Sequence, residues 1–265
     1  MSPAENDNRL NKDGIMGEAY LFLSGKGGTG KTTLSTSLAL ALAQRGRRTA
    51  LVDADVGLRC ADLLLGLENE VLYDLSDVME KRCTLNQALV RCREAQGLSV
   101  LSAPQMMQPS EIDKKQLSQV IRTLTEDYDF VLIDCPAGLG RGLKNVWSAA
   151  KEAIVIATPD DPSIRAAERL SQLLFEKQGI HPRLILNRAD RLLVSVREEQ
   201  RPARIAAQTD MQLLGVVPDS PDVYRALLVH RTAVQSDSVR VRRAIGRIAD
   251  RLTGVDRRLP RYCRS

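Results

Sequence analysis

The chain has 265 residues, 43% of them hydrophobic and 27% charged, an ordinary composition for a soluble protein, and its length predicts a single α/β domain. No apolar stretch approaches the roughly 18–20 residues that cross a bilayer, and the five widely spaced cysteines include no CxxC pair, which argues against a disulfide framework or a zinc ribbon. The net charge of +5 and the pI of about 9.0 permit association with an anionic surface, either nucleic acid or membrane.

The two ends of the chain differ in composition from its middle. Residues 1–17 are polar and contain no apolar segment of the kind that a signal peptide requires, so we predict a flexible N-terminal tail and a cytoplasmic protein. A single P-loop ATPase domain is predicted over residues 18–254, and a basic C-terminal tail over residues 255–265.

Short aliphatic runs recur along the domain, and longer stretches with helical character separate them. The first run leads into a glycine-rich loop and then into a predicted helix over residues 32–44, which Gly46 closes. Further helices are predicted over residues 111–125 and 162–177. The predicted strands are residues 20–23, 49–52, 98–102, 130–133, 153–157, 183–186 and 213–217.

The alternation of strands and helices indicates the fold class. Such a pattern forms βαβ units with right-handed crossovers, and the buried strands of a parallel sheet read as aliphatic runs. The sequence therefore predicts a doubly wound α/β fold, with a mostly parallel sheet and helices on both faces. Ligands of such sheets bind at the carboxyl ends of the strands.

The glycine-rich loop has the spacing G-x-x-x-x-G-K-[ST] of a phosphate-binding loop. It follows an apolar strand and opens a helix, which is the context that this motif needs. Glycines allow the backbone to curl around a polyphosphate and to direct its N–H groups at it, and the dipole of the following helix adds to the attraction. The predicted nucleotide-binding residues of the loop are Gly25, Lys26, Gly27, Gly28, Thr29, Gly30, Lys31, Thr32 and Thr33.

Two lysines occur in this loop. Lys31 is predicted to place a positive charge at the β- and γ-phosphates of ATP, and the hydroxyl of Thr32 to bind Mg²⁺. An ordinary phosphate loop has no need of a lysine directly after its first glycine, where Lys26 stands. In this respect residues 25–33 resemble the deviant Walker A signature of the MinD/ParA family. The resemblance implies that Lys26 acts in trans, reaching the phosphates of a partner subunit in an ATP-bound homodimer.

Three carboxylates follow predicted strands. Asp53 and Asp55 should lie beside the phosphate loop, and Asp134 ends an aliphatic strand in the Walker B pattern, where it would hold Mg²⁺ through water. The family resemblance implies that Asp55 positions the attacking water and that Asp53 supports the metal region. The alternative, that both aspartates only cap the next turn, remains open. Pro136 and Gly138 are predicted to form a switch turn whose glycine N–H senses the γ-phosphate.

Longer segments are also similar to the MinD family, so that the resemblance covers roughly residues 20–254. Gly57 lies in the first of two switch-like regions. Asn187 and Arg188 resemble the pair that contacts the adenine base, with Pro218 and Asp219 at the opposite side of that pocket. The similar positions are residues 53–59, 62, 66–69, 71–78, 82–89, 134–138, 158–159, 165 and 187–188.

The resemblance implies a function in the spatial regulation of cell division. It implies a slow ATP hydrolase that depends on dimerisation and on a partner, with ATP and Mg²⁺ as cofactors. In its ATP state, the homodimer would recruit a MinC-like division inhibitor at the septum site, and an activator such as a MinE-like protein would stimulate hydrolysis. The protein would associate peripherally with the inner face of the anionic cell membrane, and DNA is the less expected partner.

The C-terminal region departs from the family, whose members usually end in a short amphipathic membrane helix. Val241, Ile245, Ile248 and Leu252 fall on one helical face, and we predict that this stripe packs on the domain itself. Beyond it, Pro260 breaks any further helix and few apolar residues remain.

Three other functions compete with the leading one. A ParA- or FlhG-like positioning ATPase shares the same motifs, and the arginine-rich C-terminus would suit non-specific DNA. An iron–sulfur carrier of the same superfamily would need a second cysteine near Cys135, and the sequence offers no convincing one. A nucleotide-binding adaptor that does not hydrolyse ATP is disfavoured, because the loop lysines and the strand-end aspartates are all present.

Overall fold

The computed structural model of the chain describes residues 16–56, 59–105, 107, 111–190 and 201–259. The predicted N-terminal tail therefore lies almost entirely outside the described residues, as does the end of the predicted basic tail. Within the described ranges, none of the helices has the length and apolar character needed to cross a membrane.

One eight-stranded sheet organises the described chain. Its strands are β1 (Glu18–Leu23), β2 (Thr49–Asp53), β3 (Val90–Arg91), β4 (Leu98–Leu101), β5 (Phe130–Asp134), β6 (Glu152–Ala157), β7 (Arg183–Ala189) and β8 (Gln212–Pro218). Their order is β3-β4-β2-β5-β1-β6-β7-β8, and all neighbours are parallel except β3, which pairs antiparallel with β4 at one edge. The predicted doubly wound, mostly parallel α/β fold is confirmed.

Helices connect most of the strands. The described helices are α1 (Lys31–Ala43), α2 (Ala61–Leu64), α3 (Leu75–Met79), α4 (Leu85–Ala88), α5 (Lys114–Asp127), α6 (Arg141–Val146), α7 (Asp161–Gln178), α8 (Pro202–Gln208), α9 (Pro221–Leu227) and α10 (Val239–Leu252). Each predicted strand is present, with bounds that differ by a few residues. The helix predicted from residue 111 begins later because Asp113 caps it, accepting a hydrogen bond from the backbone N–H of Gln116 at 2.8 Å.

Both faces of the sheet are covered by helices. Side chains alternate along a strand, so Leu21 and Leu23 of β1 pack in one buried cluster while Tyr20 and Phe22 pack in the other. The first cluster contains the apolar faces of α5 and α7, and the second contains those of α1 and α10. The two helix layers predicted from the sequence are therefore both present.

The apolar stripe of α10 packs on the domain. Val241, Ile245, Ile248 and Leu252 are all buried, and α10 contacts both α1 and β8. The prediction that this stripe belongs to the core is confirmed. The contact with β8 is close because Gly215 presents no side chain there.

A substitution at Gly215 tests this close packing. A Cβ atom at Gly215 would lie 2.4 Å from Cγ1 of the buried Ile248. We expect Gly215→Ala to lower the free energy of unfolding by about 1–3 kcal/mol through overpacking, measured by urea denaturation. Gln212→Ala, at an exposed position of the same strand, is the control and should change stability by less than about 0.5 kcal/mol.

A double variant separates this contact from a general loss of stability. In Gly215→Ala/Ile248→Ala the new methyl group occupies space that the shortened side chain leaves, so the double variant should be less destabilised than the sum of the single variants. If the losses of stability in the two single variants simply add in the double variant, the close approach of α10 to β8 is not the cause of the destabilisation by Gly215→Ala.

Candidate functional site

The carboxyl ends of β2, β5 and β1 form a contiguous edge, because β5 lies between the other two strands. Asp53 and Asp134 are register partners across β2 and β5, and Phe22 of β1 is the partner of Asp134 on the other side. The glycine-rich loop connects β1 to α1 at this same edge. The sheet order therefore brings the predicted phosphate loop and the strand-end aspartates together.

Three glycines of the loop, Gly25, Gly28 and Gly30, are constrained by their backbone angle or by close neighbours. Gly28 and Gly30 have φ values of 79° and 90°, in the left-handed region that favours glycine. A Cβ atom at Gly30 would lie 2.3 Å from Nδ2 of Asn187, and one at Gly25 would lie 2.4 Å from the carbonyl oxygen of Ala166. Gly27 is exposed at the rim of the loop and Thr29 is buried beneath it.

Lys31 begins α1 and is only 5% exposed. Its Nζ donates hydrogen bonds to Oδ1 of Asp134 at 2.8 Å and to Oδ2 of Asp55 at 3.2 Å. Burial opposes the charged form of the ammonium, but the negative charges of Asp134 and Asp55 outweigh it and raise the pKa of Lys31. Lys31 is therefore a buried permanent cation at the start of the helix.

Asp53 is buried and receives two backbone hydrogen bonds. Its Oδ1 accepts from the N–H of Asp55 at 2.9 Å, and its Oδ2 accepts from the N–H of Ala61, the first residue of α2, at 3.1 Å. Burial and then the charge of Asp134 raise the pKa of Asp53 to about 7. Asp53 therefore makes the contacts expected of a residue that caps the next turn, which is the alternative role that the sequence left open.

Asp55 lies beyond the end of β2 and has a different environment. Its side chain is 19% exposed and reaches Lys31 rather than the backbone of the following turn. Burial raises the pKa of Asp55, and the neighbouring charge of Lys31 partly offsets this effect. The side-chain contacts of Asp55 thus place its carboxylate at the phosphate loop, and the turn-cap alternative describes Asp53 only.

Asp134 supplies the group that best fits a magnesium ion. Its Oδ2 is buried and has no hydrogen-bond partner, while Oδ1 accepts from Lys31. A hard cation with bound waters satisfies such an oxygen. Thr32 stands one residue into α1 and is partly buried. No group of three or more His, Cys, Asp or Glu side chains in the described residues could hold a metal ion alone, so further ligands would come from water and phosphate.

Lys26 is held by a residue that the sequence analysis did not identify. Its Nζ lies 3.3 Å from Oδ1 of Asp160, and the two side chains are 50% and 44% exposed. Asp160 also caps α7, because its side chain accepts from the N–H of Ser163 at 3.1 Å, and it contacts the hydroxyl of Thr158. Asp160 directly precedes Asp161 and Pro162, and this order of residues is a sequence signal for the start of a helix. No local sequence pattern, however, indicates that Asp160 contacts Lys26.

The predicted switch turn after β5 is connected to the end of β1. Gly138 has a φ of 86°, and its N–H donates to the carbonyl oxygen of Ser24 at 2.8 Å. Pro136 is buried, and the preceding Cys135 is also buried and donates a hydrogen bond within the core. The N–H of Gly138 is therefore engaged by the residue that follows β1. Gly57 of the other predicted switch lies outside the described residues.

A cavity of about 520 Å³ adjoins the loop and contains the predicted adenine-pocket residues. Asn187 is buried and donates from Nδ2 to the carbonyl oxygen of Thr29 at 2.8 Å, and Arg188 has a φ of 54°. Sequence reasoning missed the apolar part of the lining, since nothing local connects α9 with the loop. The lining includes Gly30, Thr33, Leu34, Asn187, Arg188, Pro218, Asp219, Val223, Tyr224 and Leu227.

Known proteins share both the sequence and this architecture. A family model described as an AAA domain matches residues 20–189. A septum site-determining protein MinD from Bacillus subtilis (strain 168) is 41% identical over 213 residues, covering 80% of each chain. The structure of a MinC:MinD cell division protein complex from Aquifex aeolicus matches with a TM-score of 0.83 and 31% identity, covering 92% of this chain and 99% of that one.

A further solved relative contains nucleotide. The septum site-determining protein MinD from Pyrococcus horikoshii, complexed with Mg-ADP, has a TM-score of 0.78 and 29% identity, covering 89% of this chain and 96% of that one. These matches agree with a phosphate loop that contains a second lysine and lies beside strand-end aspartates. The chain therefore belongs to the MinD family of P-loop ATPases.

Proposed function

We propose that this protein is a MinD-like ATPase that dimerises on binding ATP and acts in septum site placement, with residues 18–254 as its ATPase domain. The observation that carries this proposal is the contrast between the two loop lysines. Lys31 is buried against Asp134 and Asp55, whereas Lys26 is half exposed at the outer side of the loop. A buried lysine serves its own phosphate loop, and an exposed one is available to a second subunit.

The residues of the loop have separate roles in this proposal. When bound, Mg-ATP supplies the transferable phosphoryl group and a cation that neutralises its charge. The hydroxyl of Thr32 and the carboxylate of Asp134 would hold the cation, and the ammonium of Lys31 would turn from the carboxylates toward the phosphates. Asp55, released from Lys31, would accept a hydrogen bond from the attacking water and so orient it.

Dimerisation would replace the ion pair of Lys26. An ion pair between side chains as exposed as Lys26 and Asp160 contributes only about 0–1 kcal/mol. Breaking it therefore costs little, and the phosphates of a partner subunit offer a more strongly charged acceptor. Positive charge would then reach the transition state only when two ATP-loaded subunits have met.

The proposed partners follow from the relatives. The Aquifex aeolicus structure is a MinC:MinD complex, which supports a MinC-like division inhibitor as the partner of this chain in its ATP state. A MinE-like activator and reversible association of a cytoplasmic protein with the inner face of the cell membrane complete the proposed cycle. The iron–sulfur alternative finds no support at Cys135, which is 0% exposed and so cannot bridge a cluster with a second subunit.

Asp55→Ala tests the proposed cycle. Without the carboxylate that orients water, hydrolysis should slow by about 100-fold or more, while ATP binding persists. The variant should therefore accumulate as a dimer in ATP, measured by light scattering after size exclusion, and remain a monomer in ADP. Glu126→Ala, an exposed carboxylate on α5, is the control and should hydrolyse ATP at the wild-type rate. Rapid hydrolysis by a strictly monomeric protein would contradict the dimer mechanism.

The trapped dimer also tests membrane association. Asp55→Ala protein should sediment with phosphatidylglycerol vesicles in ATP and stay in the supernatant in ADP. If it stays in the supernatant with both nucleotides, the ATPase assignment holds but autonomous membrane binding by this chain is ruled out.

Lys26→Ala tests the role of the exposed lysine. Because Lys31 and the loop glycines remain, the variant should bind a fluorescent ATP analogue with near wild-type affinity. It should fail to dimerise and lose about 10³-fold in ATPase rate, the effect expected for a charge given in trans. Asp160→Asn removes the ion pair but keeps the lysine, so it should dimerise at the same or a lower ATP concentration. Wild-type turnover by Lys26→Ala would refute the role in trans.

Asp53 should make the stability of the nucleotide-free protein depend on pH. Its pKa is raised to about 7 in the folded state, so the folded protein binds a proton that the unfolded chain has released. Stability should therefore fall as the pH rises from about 4 to about 7 and then level off. Asp53→Asn should flatten this dependence in urea denaturation at several pH values, and Glu126→Gln should not. An unchanged slope in Asp53→Asn would contradict the assignment.

A further inference from the structure

A groove of about 830 Å³ lies at the amino ends of β1, β6, β7 and β8, and α5 contributes to its lining. We call it the amino-end groove. It is separate from the phosphate loop and from the adenine pocket, because none of its described lining residues belongs to either. Its charged lining residues and its histidine are Glu18, Arg122, Lys151, Glu152, His181 and Arg183.

Both carboxylates of the amino-end groove already have partners. The hydroxyl of Tyr20 donates a hydrogen bond to the carboxylate of Glu18, and Nη2 of Arg183 lies 3.8 Å from Oε2 of Glu152. The guanidinium of Arg183 also lies over the ring of Tyr20, 5.1 Å from its centroid. Each carboxylate therefore has a polar partner within the chain, and Arg183 is committed to Glu152 and Tyr20.

Two other cations of the groove lack such a partner. Arg122 of α5 and Lys151, directly before β6, are exposed, and their side chains make no hydrogen bond or ion pair within the described part of the chain. They stand on different elements of the fold, so the positive charge is a property of the groove rather than of one helix face. A ligand with negative groups would complement it.

An exposed aromatic side chain adjoins the groove. The rings of Phe175, near the end of α7, and His181, which lines the groove, have centroids 4.6 Å apart. Phe175 is 54% exposed, so much of its ring is free to contact another molecule. A single exposed apolar residue is ordinary on a protein surface. Here it stands beside unpaired cations, and aromatic side chains are enriched where proteins bind one another.

The amino-end groove is at the opposite end of the sheet from the nucleotide site. Strand β1 begins at Glu18 in the groove and leads, after Leu23, into the phosphate loop. A strand of six residues spans about 20 Å. A ligand of the groove would therefore leave the phosphate loop and the exposed Lys26 accessible.

The lining selects among anionic partners. Glu18 and Glu152 would repel the closely spaced phosphates of a nucleic acid or of an anionic membrane. Met16 and Phe175 are the large apolar side chains exposed there among the described residues, which is little for insertion into a bilayer. The groove is also large for a single phosphate or carboxylate. A flexible chain with separate carboxylates and an aromatic group fits these features best.

We propose that the amino-end groove binds an acidic peptide segment of a partner protein, with carboxylates paired to Arg122 and Lys151 and an aromatic side chain packed on Phe175. The inference goes beyond the proposed function and does not rest on it, because it uses only the charge of the groove, the exposed ring and their position.

The experiment measures the anisotropy of a fluorescein-labelled peptide, Gly-Glu-Glu-Phe-Glu-Glu-Gly, titrated with the full-length chain in Mg-ADP. The nucleotide occupies the phosphate loop, so the peptide cannot bind there. Wild-type protein should bind the peptide at about 20 mM salt and more weakly at about 200 mM, because salt screens exposed charges. Arg122→Gln/Lys151→Gln should raise Kd about fivefold through the loss of two exposed ion pairs.

A matched pair of substitutions controls for net charge. Lys115→Gln/Arg169→Gln also removes one lysine and one arginine, both exposed and neither lining the groove, and should leave Kd unchanged. Circular dichroism should show wild-type melting for both double variants, because all four side chains are exposed.

A second peptide tests the aromatic contact. Phe175→Ala should raise the Kd of the phenylalanine peptide about two- to tenfold, the effect of losing one aromatic pair. It should not change the Kd of Gly-Glu-Glu-Ala-Glu-Glu-Gly, because that peptide has no ring to pack. A general loss of structure would weaken both peptides equally, so the pair of measurements separates the contact from misfolding.

Three results would overturn the proposal. The first is absence of peptide binding by wild-type protein at low salt. The second is an affinity that is unchanged in Arg122→Gln/Lys151→Gln, or that falls equally in both double variants, which would place the peptide elsewhere or reflect net charge alone. The third is full displacement of the peptide by inorganic phosphate at constant ionic strength, which would assign the groove to small oxyanions.

Discussion

The buried ammonium of Lys31 constrains the rest of the site. Removing an unpaired charge from water costs several kcal/mol even after relaxation, so a lysine with 5% exposure needs carboxylates beside it. Asp134 and Asp55 meet this need from two different strand ends. Both can do so only because β5 lies directly between β1 and β2 in the sheet. The strand order and the phosphate loop are thus parts of one electrostatic arrangement.

The same edge holds more negative charge than one lysine can neutralise. Asp53 is the register partner of Asp134 and is fully buried, so its ionisation is opposed by burial and by its neighbour, and its pKa rises to about 7. Asp134 in turn keeps one oxygen without a hydrogen-bond partner. An edge with surplus carboxylate charge and an unsatisfied oxygen is electrostatically suited to a hydrated cation. The same cluster of carboxylates therefore both pairs with Lys31 and favours a bound cation.

Local signals explain which parts of this structure the sequence could predict. The aliphatic strands, the glycine spacing and the stripe on α10 are periodic or contiguous patterns, and all are present in the structure. The two-residue strand β3 and the short helices α2 to α4 carry no such periodicity and were not predicted. Contacts between distant segments, such as Lys26 with Asp160 or Gly215 with Ile248, depend on the packing of whole elements, so no window of sequence contains them.

Burial separates two lysines that stand five positions apart in one loop. Lys31 interacts with its carboxylates at low exposure, where the electrostatic attraction is strong, so only a ligand with comparable charge can take their place. Lys26 interacts with Asp160 in solvent, where the attraction is weak and screened by salt. A ligand that enters the loop must therefore displace a strong contact, whereas a partner that approaches from outside displaces a weak one. In the cycle proposed above, only the second of these two displacements would accompany the association of subunits.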